Sequence, residues 1–136
     1  MATLRRGRLL ARLRGDRGAL TLSYVIILPS FLLVIMIMAQ GAVWFLARST
    51  ALAAARQGAD AARVAQAPPG AGPGAAVAFA EHAAPGFLLG AQASAAGSNG
   101  RTVQITVTGR VPTLVPGLQL TVSQTAQAPV ERFTTP

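Results

Sequence analysis

Residues 17–40, "RGALTLSYVIILPSFLLVIMIMAQ", decide the fold: an arginine and a glycine lead into a long apolar run with one proline inside it. From residue 19 to residue 47, the one ionisable side chain is that of Tyr24. A helix needs about 20 apolar residues to cross a hydrocarbon core of about 30 Å. The run exceeds that length, and it predicts a membrane-spanning helix over residues 19–46.

The residues before the run form a basic head. Six of the twelve arginines lie in residues 1–18, where only Asp16 opposes them, so the head carries +5 of the net charge of +8. Because arginine marks cytoplasmic flanks, we expect the head inside and the chain after residue 47 outside. The basic charge therefore sets orientation. It does not indicate a nucleic-acid partner, since no aromatic stacking platform or basic recognition helix follows.

An ordinary cleaved secretory signal is the main alternative for this segment. Such a signal has an apolar region of about 7 to 15 residues, followed by small residues at −3 and −1. The run is nearly twice as long, and its end, "IMAQGA" at residues 37–42, matches the small-residue pattern poorly. We therefore expect the apolar segment to be kept.

The residue types needed for chemistry are scarce. The chain has no cysteine, which excludes disulfides, thiol catalysis and cysteine metal sites. Its one histidine, His82, follows Glu81, but no nucleophile motif, phosphate-binding loop or second carboxylate accompanies them. We expect no enzyme activity, no cofactor, no metal site and no small-molecule substrate, with Glu81 and His82 on the surface of a short helix.

The junction "RGALTLSYVIILP", residues 17–29, resembles the amino-terminal signature of TadE-like proteins, the pseudopilins of tight-adherence (Flp-type) pilus systems. That signature is a basic leader, a glycine, four small or apolar residues, a glutamate, an aromatic residue and an apolar helix with an early proline. The resemblance implies that Gly18 ends a leader and Ala19 begins the mature chain. It puts Tyr24 at the aromatic position and Pro29 at the proline position.

One position departs from the signature, because Ser23 stands where the family usually has glutamate. In the family that carboxylate is thought to pair with the amino terminus of a neighbouring subunit, and serine cannot form this ion pair. Minor pseudopilins at a fibre tip lack the glutamate as well. The resemblance therefore leaves open whether Gly18-Ala19 is cleaved, and whether the chain is a fibre subunit, a tip subunit or an assembly factor. An uncleaved single-pass anchor presenting a small extracytoplasmic binding or scaffold domain is the alternative.

The resemblance extends along most of the chain. The alanine-rich "ALAAARQGADAAR", residues 51–63, and the segments "VQITVTGRVPTLVPG" and "AQAPVERF", between residues 103 and 133, are similar to the matching parts of TadE-like chains. The partners implied are the membrane, other pilus or pseudopilin subunits and a prepilin peptidase. The implied location is the bacterial cytoplasmic membrane, crossed once, with possible incorporation into a pilus left open.

The alanine-rich residues 47–66 predict that the membrane helix continues outside. Arg56, Asp60 and Arg63 share one face of it, which we interpret as solvated, while its alanines would let neighbouring helices approach closely. Three prolines and three glycines in residues 67–74 predict a linker. A short helix over 75–84 should follow, with Val77, Phe79 and Ala80 inward.

Alternating residues predict strands in the rest of the chain. In residues 101–109, Val103, Ile105 and Val107 share one face, and "SNG" at 98–100 is a turn signal that pairs this strand with a weaker one at 89–96. A third strand over 118–128 has Leu118, Leu120 and Val122 inward. Whether the strand "TVQITVT" lies at a sheet edge stays open at this point.

The elements together predict an α+β fold: a long amino-terminal membrane-spanning helix that continues into a pilin-like domain with a short helix and a small antiparallel sheet of about three strands. The predicted segments are a basic cytoplasmic leader (1–18), the transmembrane helix (19–46), its extension (47–66), the linker (67–74) and the extracytoplasmic α+β domain (75–136).

Overall fold

The computed structural model describes the backbone of residues 3–64 and 66–131, and the side chains of residues 24–64 and 66–131. The elements are α1 (Thr3–Arg63), α2 (Ala71–Ala83), β1 (Leu89–Ser94), β2 (Thr102–Val111) and β3 (Leu120–Pro129). They form two compact units, Met1–Met38 and Ala39–Pro136, and α1 contributes to both. The α+β prediction is confirmed: a long amino-terminal helix, a short helix and a three-stranded antiparallel sheet.

Helix α1 continues past the apolar run, as its alanine content predicts, and ends at Arg63, before the predicted limit of residue 66. Gln66 then adopts a positive φ of 65°, which turns the chain away from the helix axis. The carbonyl of Arg63, which has no partner within the helix, accepts a hydrogen bond of 3.0 Å from the backbone N–H of Glu131. The end of α1 is therefore tied to the residues that follow β3.

Helix α2 begins at Ala71, four residues before the predicted start, so the linker predicted over residues 67–74 is wrong in its second half. The reason lies in Pro73, which falls in the first turn of the helix. Backbone N–H groups in a first turn have no partner within the helix, so a proline there costs no hydrogen bond. Gly70, with φ at 85°, stands at the N-cap position and redirects the chain into α2.

The sheet has the order β1-β2-β3, with both pairings antiparallel. Strand β2 carries "TVQITVT" and lies in the centre, so the edges of the sheet are β1 and β3. The hairpin of β2 and β3 pairs continuously from Thr102↔Pro129 to Val111↔Leu120. Pairing of β1 with β2 is interrupted between Leu89 and Gln92.

The connection between β1 and β2 differs from the connection between β2 and β3. Between β1 and β2, the Asn99 side-chain oxygen accepts hydrogen bonds from the backbone N–H groups of Arg101 (2.9 Å) and Thr102 (2.8 Å), which explains the predicted turn. Between β2 and β3, the residues 112–119 form a longer connection that we call the β2–β3 loop. Leu118 was predicted to point inward on a strand, and this is wrong: β3 begins at Leu120, because the turn at Gly117 (φ 81°) keeps Leu118 in the loop and 38% exposed.

The core lies between the sheet, α2 and the part of α1 that follows residue 46. The predicted inward residues of β2 are all buried, with Ile105 and Val107 fully so, and Val122 of β3 joins them. Helix α1 contributes a buried stripe of small residues: Ala47, Ala51, Ala54, Ala55 and Ala59. The alanine face, which the sequence offered as a surface for neighbouring helices, thus packs within the chain's own domain.

Helices α1 and α2 meet where both carry glycine. A Cβ on Gly58 would lie 2.7 Å from the carbonyl oxygen of Gly72 and 2.8 Å from the Cβ of Ala76. A Cβ on Gly72 would lie 2.7 Å from the Cβ of Ala62, and Ile105 contacts both positions from the sheet. The two backbones can approach this closely because neither position has a side chain.

Candidate functional site

The apolar part of α1 is uncovered by the rest of its unit. The large apolar side chains from Tyr24 to Met38 are exposed almost without interruption around the helix. Within the described part of the chain, the segment Tyr24–Arg63 of α1 is the one helix long and apolar enough to cross a membrane, with a mean hydropathy of 2.3 in its most apolar window. An apolar surface of this extent requires lipid or partner helices around it, because water would solvate it at high cost.

The residues of the expected processing site precede this segment in the chain. Gly18, Ala19 and Ser23 fall within the backbone of α1, but their side chains lie outside the described ones. Tyr24 and Pro29 are described, and both are exposed on the helix surface. The structure therefore places the aromatic and proline positions on a surface open to lipid or to a neighbouring helix, and leaves the cleavage at Gly18-Ala19 a prediction.

Pro29 lies inside α1 without ending it. A proline has no N–H, so the carbonyl of Val25 loses its usual donor. At the next position, the hydroxyl of Ser30 donates a 2.8 Å hydrogen bond to the carbonyl of Ile26. In an apolar environment such a bond supplies polar contact to the turn that proline disturbs.

The carboxyl-terminal end of the apolar run carries an aromatic residue, Trp44, and a cation, Arg48, one helical turn apart. The guanidinium carbon of Arg48 lies 5.5 Å from the ring centroid of Trp44, a cation–π contact. Trp44 is the single tryptophan of the chain and is 36% exposed. Tryptophan is enriched where hydrocarbon meets headgroups, and arginine can extend its charged end to water, so a pair of this kind at the end of an apolar run is typical of a membrane interface.

One turn before Trp44, Gln40 joins α1 to the β2–β3 loop. Its side-chain oxygen accepts a 2.7 Å hydrogen bond from the backbone N–H of Leu114, and its side-chain nitrogen donates to the carbonyl of Pro112 at 3.3 Å. Gln40 is only 6% exposed. Both ends of the amide are used, so the side chain fixes the height of the loop along the helix.

The charged residues beyond the membrane segment lie on a solvated face, as predicted. Asp60 pairs with Arg63 at 3.2 Å, and Arg63 also lies 3.9 Å from Glu131. All three side chains are substantially exposed. Exposed pairs of this kind contribute between zero and about 1 kcal/mol, so they add little to stability.

Glu81 and His82 lie exposed on α2, in agreement with the surface position expected for them. The Nδ1 atom of His82 lies 2.7 Å from the carbonyl oxygen of Ala78, a contact within the helix. Across residues 3–64 and 66–131, no group of three or more histidine, cysteine, aspartate or glutamate residues could hold a metal ion. Among the described residues, Glu81 and His82 therefore do not belong to a candidate metal site.

The outer face of the sheet is a polar ladder without acidic groups. The hydroxyls of Thr106 and Thr125 lie 2.9 Å apart, and the amide of Gln127 donates to the side-chain oxygen of Gln104 at 3.0 Å. These cross-strand pairs stabilise the hairpin. The hydrogen-bonded side chains of this face are polar and exposed, so the face is suited to contact with water.

Two structural residues escaped the sequence analysis. Gln40 stands as an amide in an otherwise apolar run, and that isolation was the available signal for a specific contact. Gly58 interrupts an alanine-rich helix, and a helical glycine often signals a close approach. The partners of both residues lie far along the chain, in the β2–β3 loop and in α2, and local pattern could not name them.

Comparison with known proteins gives one finding. The model of the TadE-like protein family matches residues 18–60, a segment that begins at the expected leader end and includes the membrane-length helix. No curated protein and no solved structure gives a significant match to the chain. The resemblance to the TadE-like family is thereby confirmed, carried by residues 18–60 of this chain.

Proposed function

We propose that the chain is a pseudopilin of the TadE-like type, a structural or assembly component of a tight-adherence (Flp-type) pilus in a bacterial cytoplasmic membrane. The observation that carries the proposal is the family match over residues 18–60, which coincides with a helix exposed on all sides between Tyr24 and Met38. A surface of that kind can exchange lipid for neighbouring helices. The role is one of assembly and not of catalysis.

In this proposal the basic leader stays in the cytoplasm and a prepilin peptidase cuts after Gly18. Removal of residues 1–18 takes away five positive charges and leaves a new α-amine on Ala19, beside an apolar helix. The domain after residue 47 lies outside, where it contacts other pilus or pseudopilin subunits. Since Ser23 cannot supply the usual carboxylate, a minor or tip position fits better than repeated incorporation along a fibre.

The intact mass of the protein extracted from membranes of its native cell tests the processing step. We expect the mass of residues 19–136, alone or with one added methyl group. Gly18→Val should leave the full-length mass, because valine at the cut would crowd the peptidase site. Gly15→Val is the matched control, since it changes a glycine of the same leader three residues earlier and should leave cleavage intact.

The alternative function is an uncleaved single-pass anchor that presents the domain 75–136 as a scaffold or binding module. Ser23 is the observation that favours it. A full-length mass for the unaltered chain, in a cell whose other prepilins are processed, would establish the anchor and contradict the cleaved pseudopilin. Ser23→Glu then becomes informative, because a gain of cleavage or fibre incorporation would trace the loss of assembly to that one side chain.

A further inference from the structure

The β2–β3 loop exposes apolar side chains that its own domain leaves uncovered. Leu114 is 49% exposed and Leu118 is 38% exposed, and Leu89 at the neighbouring end of β1 is 41% exposed. A cleft of about 280 Å³, which Leu89 and Leu118 both line, separates the loop from the end of the sheet. The apolar groups of the loop therefore stand away from the core.

The loop carries no charge of its own. Through the whole hairpin, residues 102–130, the one charged side chain is Arg110, which lies two residues before the loop and lines the same cleft. The β2–β3 loop is uncharged and exposes apolar side chains, and the cation Arg110 lies close to it in the chain. This arrangement fits a bilayer surface, where hydrocarbon lies below a layer of phosphates.

Gln40 fixes the loop at a particular level of α1. Counted from Leu20, the roughly 20 helical residues that cross a hydrocarbon core end at about residue 40. The backbone N–H of Leu114 bonds directly to the Gln40 side chain. A membrane boundary placed later along the run, nearer to Trp44, would bury the loop more deeply, so either choice brings Leu114 to the lipid.

We propose that the β2–β3 loop is a second membrane contact, with Leu114 and Leu118 seated in the outer leaflet at the hydrocarbon boundary and Arg110 facing the lipid phosphates. The occupant of this surface is the bilayer in which α1 already stands. The argument is one of continuity within the unit Ala39–Pro136: Gln40 lies in the apolar run of α1 and bonds directly to the loop. It depends on α1 spanning a membrane and not on any role in a pilus.

The absence of cysteine makes the test direct, because one introduced thiol can be labelled without background. The full chain carrying Leu114→Cys, labelled with the environment-sensitive dye NBD, would be reconstituted in phosphatidylethanolamine–phosphatidylglycerol vesicles. Quenching by aqueous iodide and by lipids spin-labelled near the headgroup would be compared. Ala96→Cys, in the exposed turn at the other end of the sheet, is the control.

We expect iodide to quench the label at Leu114→Cys severalfold less than the label at Ala96→Cys, and the spin-labelled lipids to quench it severalfold more. Equal exposure of the two labels to iodide would overturn the proposal. Protection of Leu114→Cys that disappears when the protein is diluted in lipid would assign the surface to a second copy of the chain, and would overturn it as well.

Leu118→Cys guards against a disturbed loop, because it reports on the same surface from the other side of the turn at Gly117. Blue-shifted Trp44 emission in every variant would show that α1 is inserted. Insertion with an iodide-accessible loop refutes the membrane contact while leaving the pseudopilin proposal intact. A failed cleavage test leaves the membrane contact intact, so the two proposals fail separately.

Discussion

Gly58→Ala should destabilise the domain although alanine is the better helix former. In the interior of a helix, replacing glycine by alanine stabilises by about 1 kcal/mol. Here the new methyl carbon would lie 2.7 Å from the carbonyl oxygen of Gly72 and 2.8 Å from the Cβ of Ala76. Neither atom can rotate away, so α2 must shift as a whole, which places the cost at the upper end of the roughly 1 to 3 kcal/mol of overpacking. The net loss is about 1 to 2 kcal/mol.

Pulse proteolysis of the full chain in a mild detergent, across a urea series, measures this loss. With a dependence on urea of about 1 kcal/mol per molar, the midpoint should fall by on the order of 1 M. Gly74→Ala is the matched control: it adds the same methyl group to α2 at a position where a Cβ meets nothing within 4 Å. It should leave the midpoint unchanged or raise it. A Gly58→Ala midpoint at or above that of Gly74→Ala would refute the close helix crossing.

Two further changes test the contacts that hold the domain together. Gln40→Leu leaves the part-buried N–H of Leu114 without its acceptor, at a cost of about 1 to 3 kcal/mol, so amide hydrogen exchange in the β2–β3 loop should accelerate by about tenfold or more. Gln57→Leu, on the exposed face of α1, should leave that exchange rate unchanged. Ile105→Ala empties a fully buried site and should cost about 2 to 5 kcal/mol in the same urea assay, and a loss below about 1 kcal/mol would mean that Ile105 is not central to the core.

The sequence alone predicts the elements of the fold because their signals are local. The uncharged run that begins at Ala19 is long enough for a membrane-spanning helix, and the alternation of Val103, Ile105 and Val107 predicts a strand with one buried face. Both are properties of a few consecutive residues. The family resemblance likewise rests on one continuous stretch, and that stretch is where the family model matches.

The features that the sequence pattern did not predict depend on contacts between segments that lie far apart in the chain. Pro73 predicts the end of a helix from the sequence alone, but it lies in the first turn of α2, where proline is tolerated. Leu118 fits the strand pattern, but the turn at Gly117 keeps it out of β3. The alanines of α1 are suited to close packing, but pattern does not say against what. The buried cluster that contains them also contains residues of α2 and of the strands, and only the assembled domain shows this.

The candidate site divides in the same way. Tyr24 and Pro29 could be placed on the membrane helix from the sequence, and the structure shows both exposed. Gln40 could not be assigned, because an amide in an apolar run has meaning only once the loop that it binds is in place. The processing pair Gly18-Ala19 and the substituted Ser23 stay predictions, for which the intact mass is the deciding measurement.

The two hydrogen-bonded contacts at the ends of residues 40–63 of α1 have a mechanical consequence. Gln40 bonds to the β2–β3 loop near one end, and the carbonyl of Arg63 bonds to Glu131 at the other, about 35 Å further along the helix. A pull along the helix axis would therefore load both ties and the alanine stripe together, in shear, and would not peel the contacts apart one by one. Within the unit Ala39–Pro136, the helix and the sheet would therefore resist such a pull together.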